Sequence, residues 1–495
     1  MDYKDTKLLV FLSTFSKEEL SEFEKFLESP YFKKGRDPLP LFKALKKFHP
    51  FESDKFNEES VFKEIYPGQN FEDKNSKNTL RSLSSYLLKS VEDFLYISRL
   101  RDNKVLRNRT LLTEILERNL TKQFEQYMKS AIEEQESEEI ISGVNNLEKY
   151  HLEGINARYY STMLDMEKYF AHISKSVEHI SSHFWIDFIN TAKSVLIAKN
   201  NFHLSEGKEF IDKILDATNM ENILTIHEGS PNHAHISFHY QIYRHLESHG
   251  KEDNYETAKQ IFFQSKAGMG RHDKVYHYSD LINIFQMRMT KEGLDSKREL
   301  FNLINACLED KAYKLSDDDF MHPLFYRNAI LCADYLKETE WAYSFIDNYS
   351  SELKPELREN LQLYSRALID YAAGNFEESL LNISRVKYNL VEFKTDIKIL
   401  MMRIFYELEL VDQADSTIDS LRHLVRSTEN LDNDYKKAFS NYIKFYTRLL
   451  KLKIDEPKNR SEELNFISEE IRQEKILLQR IWLNEKLEEM ASGEN

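Results

Sequence analysis

The sequence predicts an all-α protein, an array of antiparallel helix hairpins, and three observations carry that prediction. Trp341, Phe376 and Val411 lie 35 residues apart, and each is followed three positions later by a small residue: Ser344, Ser379 and Ala414. Each also follows a tyrosine by five or six positions (Tyr335, Tyr371, Tyr406). A fixed period in the thirties marks stacked helix pairs that bury their apolar faces on one another. Next, 12 Gly and 9 Pro among 495 residues make up about 4%, against roughly 12% in average usage. Sheets need turn residues every few positions, so this scarcity points to long helices with short links. Finally, aromatic residues reach 13%, with 32 Phe and 27 Tyr but 3 Trp. Such side chains fill the ridges and grooves between stacked helices.

Residues 1–110 read as an N-terminal helical domain. Ser16-Lys17-Glu18-Glu19 is a capping box, and Leu20, Phe23, Phe26 and Leu27 give the helix an apolar stripe before Pro30 stops it. A link over 33–40 carries Gly35, Pro38 and Pro40, and a second helix bears Leu41, Phe42, Leu45 and Phe48. A short helix around Val61, Phe62 and Ile65 ends at Tyr66-Pro67-Gly68, and a long one is expected from Thr79 to about Leu100. The window 99–109 is the most basic in the chain, with Arg99, Arg101, Lys104, Arg107 and Arg109. No aromatic interleaves these residues, so they read as a solvated helix face; a nucleic-acid contact that also uses Arg81 is the alternative. Five glutamates within 133–139 read as an exposed face.

Residues 111–228 read as long helical hairpins, broken near Gly143, Gly154 and Glu206-Gly207, and Glu228-Gly229-Ser230-Pro231-Asn232 marks a joint. Over 233–455 the repeat can be followed. Tyr255 and Ala258 show the large-then-small spacing after the loop 250–254, and an intermediate unit falls near Gly293-Leu294. In the clearest unit one helix carries Leu363, Ala367 and Tyr371, Gly374-Asn375 makes the turn, and a second helix opens with Phe376 and continues through Ser379 and Ile383. Glycine suits that turn because helices commonly end in a residue at positive φ.

Ala367, Phe376, Ser379 and Ile383, with Val411, Ala414 and Ile418 in the next unit, resemble the tetratricopeptide repeat. The family's aromatic near the start of the first helix is replaced by Leu363 and Lys398, and its closing proline by Val391. The resemblance covers about 120 residues of the C-terminal half. It implies a right-handed α-solenoid whose concave face binds peptides or helices, without catalysis. Around Ser29-Pro30-Tyr31-Phe32 the chain is also similar to the opening of long all-helical bacterial proteins of unassigned function. Residues 461–490 read as one C-terminal capping helix. Ser461 is its N-cap, and Leu464, Ile467, Ile471, Leu478 and Ile481 form a stripe that Leu477, Trp482 and Leu487 widen; Glu474 and Glu485 interrupt it.

A net charge of −15 disfavours tight non-specific binding to a phosphate backbone, so nucleic acid is not the expected partner. Cys307 and Cys332 form no CxxC and lie in apolar helical stretches, as reduced core residues of a cytoplasmic protein do. The apolar run 8–12 is too short for a signal peptide, and no stretch has the length of a membrane span.

Histidine is the unusual chemical signal: twelve of 16 fall within 172–277. His179/His183, His235/His239 and His245/His249 each place two imidazoles on one helix face, and His172 shares the face of His179 and His183. A helical zinc or iron site needs that geometry, which makes a metal-dependent enzyme the third alternative. No HExxH is present and no carboxylate has third-ligand spacing, so hydrogen-bonded histidines at helix interfaces are expected instead. Gly207-Lys208 lacks the upstream glycine of a Walker loop, Gly268-Met269-Gly270 follows no strand, and no GxSxG occurs. Asp317-Asp318-Asp319 after Ser316 reads as the capped start of a helix. The expectation is a non-enzymatic scaffold for a protein or peptide, with no catalytic, cofactor-binding or metal residues and no cofactor.

Overall fold

The computed structural model describes residues 3–32, 35–51, 56–137, 142–202, 207–248, 253–288, 294–387, 391–428, 433–455 and 460–492. Among them are 24 α-helices and no β-strand. The chain forms two compact units, Met1–Glu138 with Arg158–Asp165, and Glu139–Ala157 with Met166–Asn495.

The first unit holds α1 (Lys7–Ser13), α2 (Lys17–Glu28), α3 (Leu39–Lys46), α4 (Glu58–Ile65), α5 (Lys74–Asp102), α6 (Lys104–Glu117) and α7 (Thr121–Ser137). The capping box forms as expected, with the Glu19 N–H donating to Ser16 Oγ at 3.1 Å and the Ser16 N–H to Glu19 Oε2 at 2.7 Å. Phe23, fully buried, meets Phe42 edge-on at 4.9 Å and Phe94 at 5.2 Å, which joins α2, α3 and α5 in one aromatic core. The long helix starts at Lys74, not Thr79, and Pro40 lies inside the first turn of α3, where its missing N–H costs nothing. Residue 110 falls within α6, so the chain does not divide there. Tyr159 completes the unit: it stacks on Phe124 at 4.3 Å and donates to Glu125 at 2.9 Å.

The second unit begins with α8 (Ser142–Thr162, whose C-terminal end belongs to the first unit), the 37-residue α9 (Met166–Phe202), α10 (Lys208–Ala217) and α11 (Met220–Ile226). Gly143 and Gly154 lie inside α8 and do not break it. A Cβ at Gly143 would press on the carboxylate of Asp187 of α9, a partly exposed side chain that would have to turn aside. The 228–232 loop is a joint, with Gly229 at φ 84° and α12 (His233–Glu247) packed on α9 beyond it.

Helix pairs then follow: α12 with α13 (Asn254–Ser265), α14 (Arg271–Arg288) with α15 (Leu294–Glu309), α16 (Pro323–Tyr335) with α17 (Thr339–Tyr349), α18 (Pro355–Ala372) with α19 (Phe376–Ser384), and α20 (Val391–Glu407) with α21 (Val411–Ser427). The expected links at 250–252 and Gly293 lie outside the described residues. α22 (Asn433–Ile454) packs on α21. First helices also pack on the next first helices, α16 on α18 and α18 on α20.

The turns set the register. Lys337, Gly374 and Glu409 close α16, α18 and α20 at φ 58°, 81° and 56°. Beyond each, an N–H reaches back five residues: Glu338 to Ala333 at 2.9 Å, Asn375 to Asp370 at 2.8 Å, Leu410 to Phe405 at 2.9 Å. Five residues after each turn residue comes a small buried one: Ala342, Ser379 and Ala414. Ser379 Oγ donates to the Ala367 carbonyl at 2.6 Å across the pair. This corrects the expected spacing, because Ser344 is exposed and Thr339, not Trp341, corresponds to Phe376. Counted between turn residues the intervals are 37 and 35.

The C-terminal segment also departs from expectation. In place of one helix over 461–490 there are two, α23 (Arg460–Gln473) and α24 (Arg480–Ser492), reversed through Gln479 at φ 55°. Glu474, which interrupts the apolar stripe, stands at that break. α23 begins at Arg460, so Ser461 is not its N-cap. Asp317-Asp318-Asp319 sits in a turn rather than at a helix start; Asp317 pairs with Arg271 at 2.8 Å, and the next helix is capped by His322.

Gly374 has open space where a Cβ would stand, so Gly374→Ala tests backbone strain alone. It is expected to destabilise the protein by about 1 kcal/mol, and Glu409→Gly to stabilise it by about 0.5–1 kcal/mol, in chemical unfolding. A neutral Gly374→Ala would show that the left-handed closure is not what holds the pair.

Candidate functional site

Two clusters in the second unit concentrate polar chemistry. The first gathers the expected pair His235/His239 of α12 with residues that no motif announces: Lys193 of α9, and Asp273, His277 and Asp280 of α14. The His277 ring lies 5.2 Å from His235, 4.9 Å from His239, and stacks on Phe238 at 4.1 Å. Each histidine is already engaged. His235 Nε2 is 3.1 Å from Ser142 Oγ, Lys193 Nζ donates to His239 Nδ1 at 2.9 Å, and His277 Nδ1 donates to the Asp273 carbonyl at 2.7 Å. Ser142 donates to Asp273 through its N–H at 2.9 Å and its hydroxyl at 2.7 Å, and Lys193 pairs with Asp280.

Burial depresses all three imidazoles: His235 falls below its ordinary range, His239 to about 3 with Lys193 adding to the effect, and His277 well below its ordinary range with His239 adding to the effect. They are neutral, ring-stacked components of a helix interface. Among the described residues no three His, Cys, Asp or Glu side chains are arranged to hold a metal ion.

His172, His179 and His183 tie α9 to α8. His172 contacts Glu153, His179 Nδ1 lies 3.3 Å from Asn146 Oδ1, and His183 Nδ1 donates to the Gly143 carbonyl at 3.1 Å. His245 is buried and edge-on to Tyr255 at 5.9 Å, while His249 lies outside the described residues.

The basic window divides at the α5–α6 junction. Arg107 lies 3.8 Å from Glu134, and Asn108 donates to the same carboxylate at 2.7 Å, so part of the window serves α6–α7 packing. Glu138 and Glu139 of the acidic run lie outside the described residues. Cys307 and Cys332 are buried and free, and burial pushes the Cys332 thiol up to about 11. Among the described residues no helix is long and apolar enough to cross a membrane.

The second cluster is a cavity of about 290 Å³ where the turns at Lys337 and Gly374 face α24. One side is held by Trp482 of α24. Its indole stacks on Tyr446 at 5.9 Å, meets Tyr406 edge-on at 5.2 Å, and donates from Nε1 to Tyr371 Oη at 2.6 Å. Tyr371 donates in turn to Glu407 at 2.9 Å, and Lys486 of α24 pairs with the same Glu407 oxygen at 2.8 Å. Lys337 reaches Glu485 at 2.8 Å. Thus α24 lies across α18, α20 and α22, three successive first helices, rather than covering only the last hairpin.

Beneath it two ion pairs join α16 to α20 over α18. Arg327 grips Asp396 with two nitrogens, Nη2 at 2.8 Å, and Tyr364 donates to the same carboxylate at 3.3 Å. Arg403 stacks 4.2 Å over Tyr371 and reaches Asp334 at 3.4 Å, and burial pushes the Asp334 carboxyl up. The sequence marks Tyr371 and Tyr406 by their spacing, but nothing in it pairs residues 69 positions apart.

No protein-family model, curated protein or solved structure matches the chain.

Two measurements check these clusters. The three histidines have depressed folded pKa values, so their contribution is complete above the unfolded value near 6.5 and is lost as pH falls below it, by up to about 1.4 kcal/mol per histidine per pH unit. His277→Phe preserves the stacking, and its unfolding free energy is expected to fall less steeply with acid between about pH 6 and 4. Separately, Trp482→Phe and Tyr371→Phe are each expected to cost about 1 kcal/mol, with the double variant costing clearly less than their sum if the indole–phenol bond is the shared loss.

Proposed function

We propose that this chain is a non-enzymatic binding scaffold of the cytoplasm, a solenoid of helix hairpins whose first helices form a concave face for a protein or peptide. The observation that carries the reading is the seating of α24. A helix with one aromatic anchor is held by tyrosines from α18, α20 and α22 and flanked by ion pairs at Lys486 and Lys337. A surface built this way suits helix-in-groove recognition, in which a buried aromatic supplies contact area and rim charges set register. The stacking of α16 on α18 and of α18 on α20, and the short reversals between paired helices, support the solenoid and its likeness to tetratricopeptide repeats. The histidines of that region, each held by a hydrogen bond at one ring nitrogen and packed against neighbouring rings, favour a structural role over a metal-dependent enzyme.

Affinity capture with chemical crosslinking in native lysate tests the reading. A protein partner is expected, retained after nuclease treatment and at moderate salt. Loss of all partners under mild conditions would sink the scaffold. Capture that vanishes with nuclease, together with salt-dependent binding to free nucleic acid, would favour the Arg81 and 99–109 alternative.

A further inference from the structure

We propose that the first half of α9 is a self-association surface, on which a second copy of this chain lays the same stretch of helix antiparallel, centred on Lys175. This dimer goes beyond the binding-scaffold reading and does not depend on it.

Met166, Phe170, Ile173, Val177, Ile180 and Phe184 follow one another at alternating intervals of four and three residues. That is the spacing of the a and d positions of a heptad repeat, held here over about 27 Å of helix. Five of the six are exposed, from Ile173 at 36% to Phe170 at 62%, and Ile180 is half-buried. The stripe does not face the helices that α9 already packs on. His172, His179 and His183 meet α8 from a face about a third of a turn away. Helix α12 packs farther along α9, where Asn190 and Lys193 meet His239. Single exposed apolar side chains are ordinary on a protein surface, whereas a contiguous line of them marks a contact.

The stripe is its own complement. Antiparallel pairing centred on Lys175 sets Met166 opposite Phe184 of the other copy, Phe170 opposite Ile180, and Ile173 opposite Val177. None of the six is left over, and the two-fold symmetry repeats each contact. No like charges meet along the flanks: Ser174 faces its own copy and Glu167 faces Ser181 on one side, while Ser176 faces its own copy and Tyr169 faces His183 on the other. This neutrality suits self-pairing of a chain with a net charge of −15, to whose long-range repulsion an acidic contact would add. The area also suffices. At on the order of 150 Å² for a whole large side chain, the exposed part of the stripe is about 400 Å² per copy. Two such faces, at the roughly 65% apolar content of homodimer interfaces, correspond to about 1,200 Å² in total, the lower bound of a specific interface. About two and a half heptads would be short for an isolated coiled coil. Here α8 already holds α9 as a helix, so pairing has little ordering entropy to overcome.

Sedimentation velocity of the full-length chain over a range of concentrations is the test, and a dimer with a dissociation constant of about 1–100 μM is expected. Val177→Lys and Ile173→Glu change exposed positions, so the monomer is expected to keep its fold, and each is expected to weaken the dimer about tenfold or more. An equimolar mixture of the two variants is expected to recover it. Antiparallel pairing then sets the introduced carboxylate opposite the introduced ammonium and leaves the other Ile173–Val177 contact native. A chain that stays monomeric at about 100 μM overturns the dimer. Co-sedimentation of that monomer with phosphatidylcholine vesicles, lost in Phe170→Glu, would assign the stripe to a lipid surface instead. A dimer that tolerates both substitutions places the contact elsewhere and overturns the surface. Variants that dissociate singly and fail to reassociate when mixed overturn the antiparallel register.

Discussion

A residue in the left-handed conformation lets a helix end and the chain turn back within a few residues, and successive helix pairs of the second unit are organised around that closure. Lys337, Gly374 and Glu409 accept it, and in each case an N–H reaches back five residues to a carbonyl that would otherwise be unpaired. The same closure recurs at Lys311, where the Ala312 N–H reaches Cys307 at 2.9 Å. Fixing the turn fixes where the second helix starts, and therefore which residue faces the first. That residue is Ala342, Ser379 or Ala414, and its small size lets the two backbones approach. The stacking of first helices, and the tyrosine surface that receives Trp482, follow from this register.

Polar chemistry is distributed along the same interfaces. Lys193 and Asp280 meet around His239, and Arg327 with Asp396 and Arg403 with Asp334 meet across α18. Burying such pairs costs solvation that Coulomb attraction alone recovers poorly, so each needs further hydrogen bonds. Arg327 and Asp396 have them in Tyr364, and Arg403 leans on Tyr371 while its Nε is left unpaired.

Parts of this were legible in the sequence. The capping box at Ser16, the Phe23 stripe, the joint at Gly229 and the turn at Gly374 are local signals, carried by a few neighbouring residues whose conformational preferences are strong. The large-then-small pattern was legible at Phe376/Ser379 and Val411/Ala414 but misleading at Trp341/Ser344. There a lysine takes the left-handed turn in place of glycine, and a second small residue two positions later mimics the expected spacing. The continuous helix read over 461–490 failed because apolar periodicity continues through the reversal, and Glu474 was its single sign. The His235/His239 pair was visible as a helical i, i+4 spacing, whereas His277, Lys193 and Asp280 come from other helices and carry no motif.

The sequence by itself determined that this chain is helical, where a few helices begin or end, as at Ser16 and Gly374, and that small residues recur at helix contacts. Those properties depend on torsional preference and on a period of a few residues, which neighbours along the chain can encode. Only the tertiary structure decided that two ion pairs cross over α18, that the histidines are spent on one another and on Lys193 and Ser142, and that α24 lies across three first helices beside an open cavity. Each of these depends on contacts between residues tens of positions apart, whose meeting is set by how the pairs stack, and no local pattern records that.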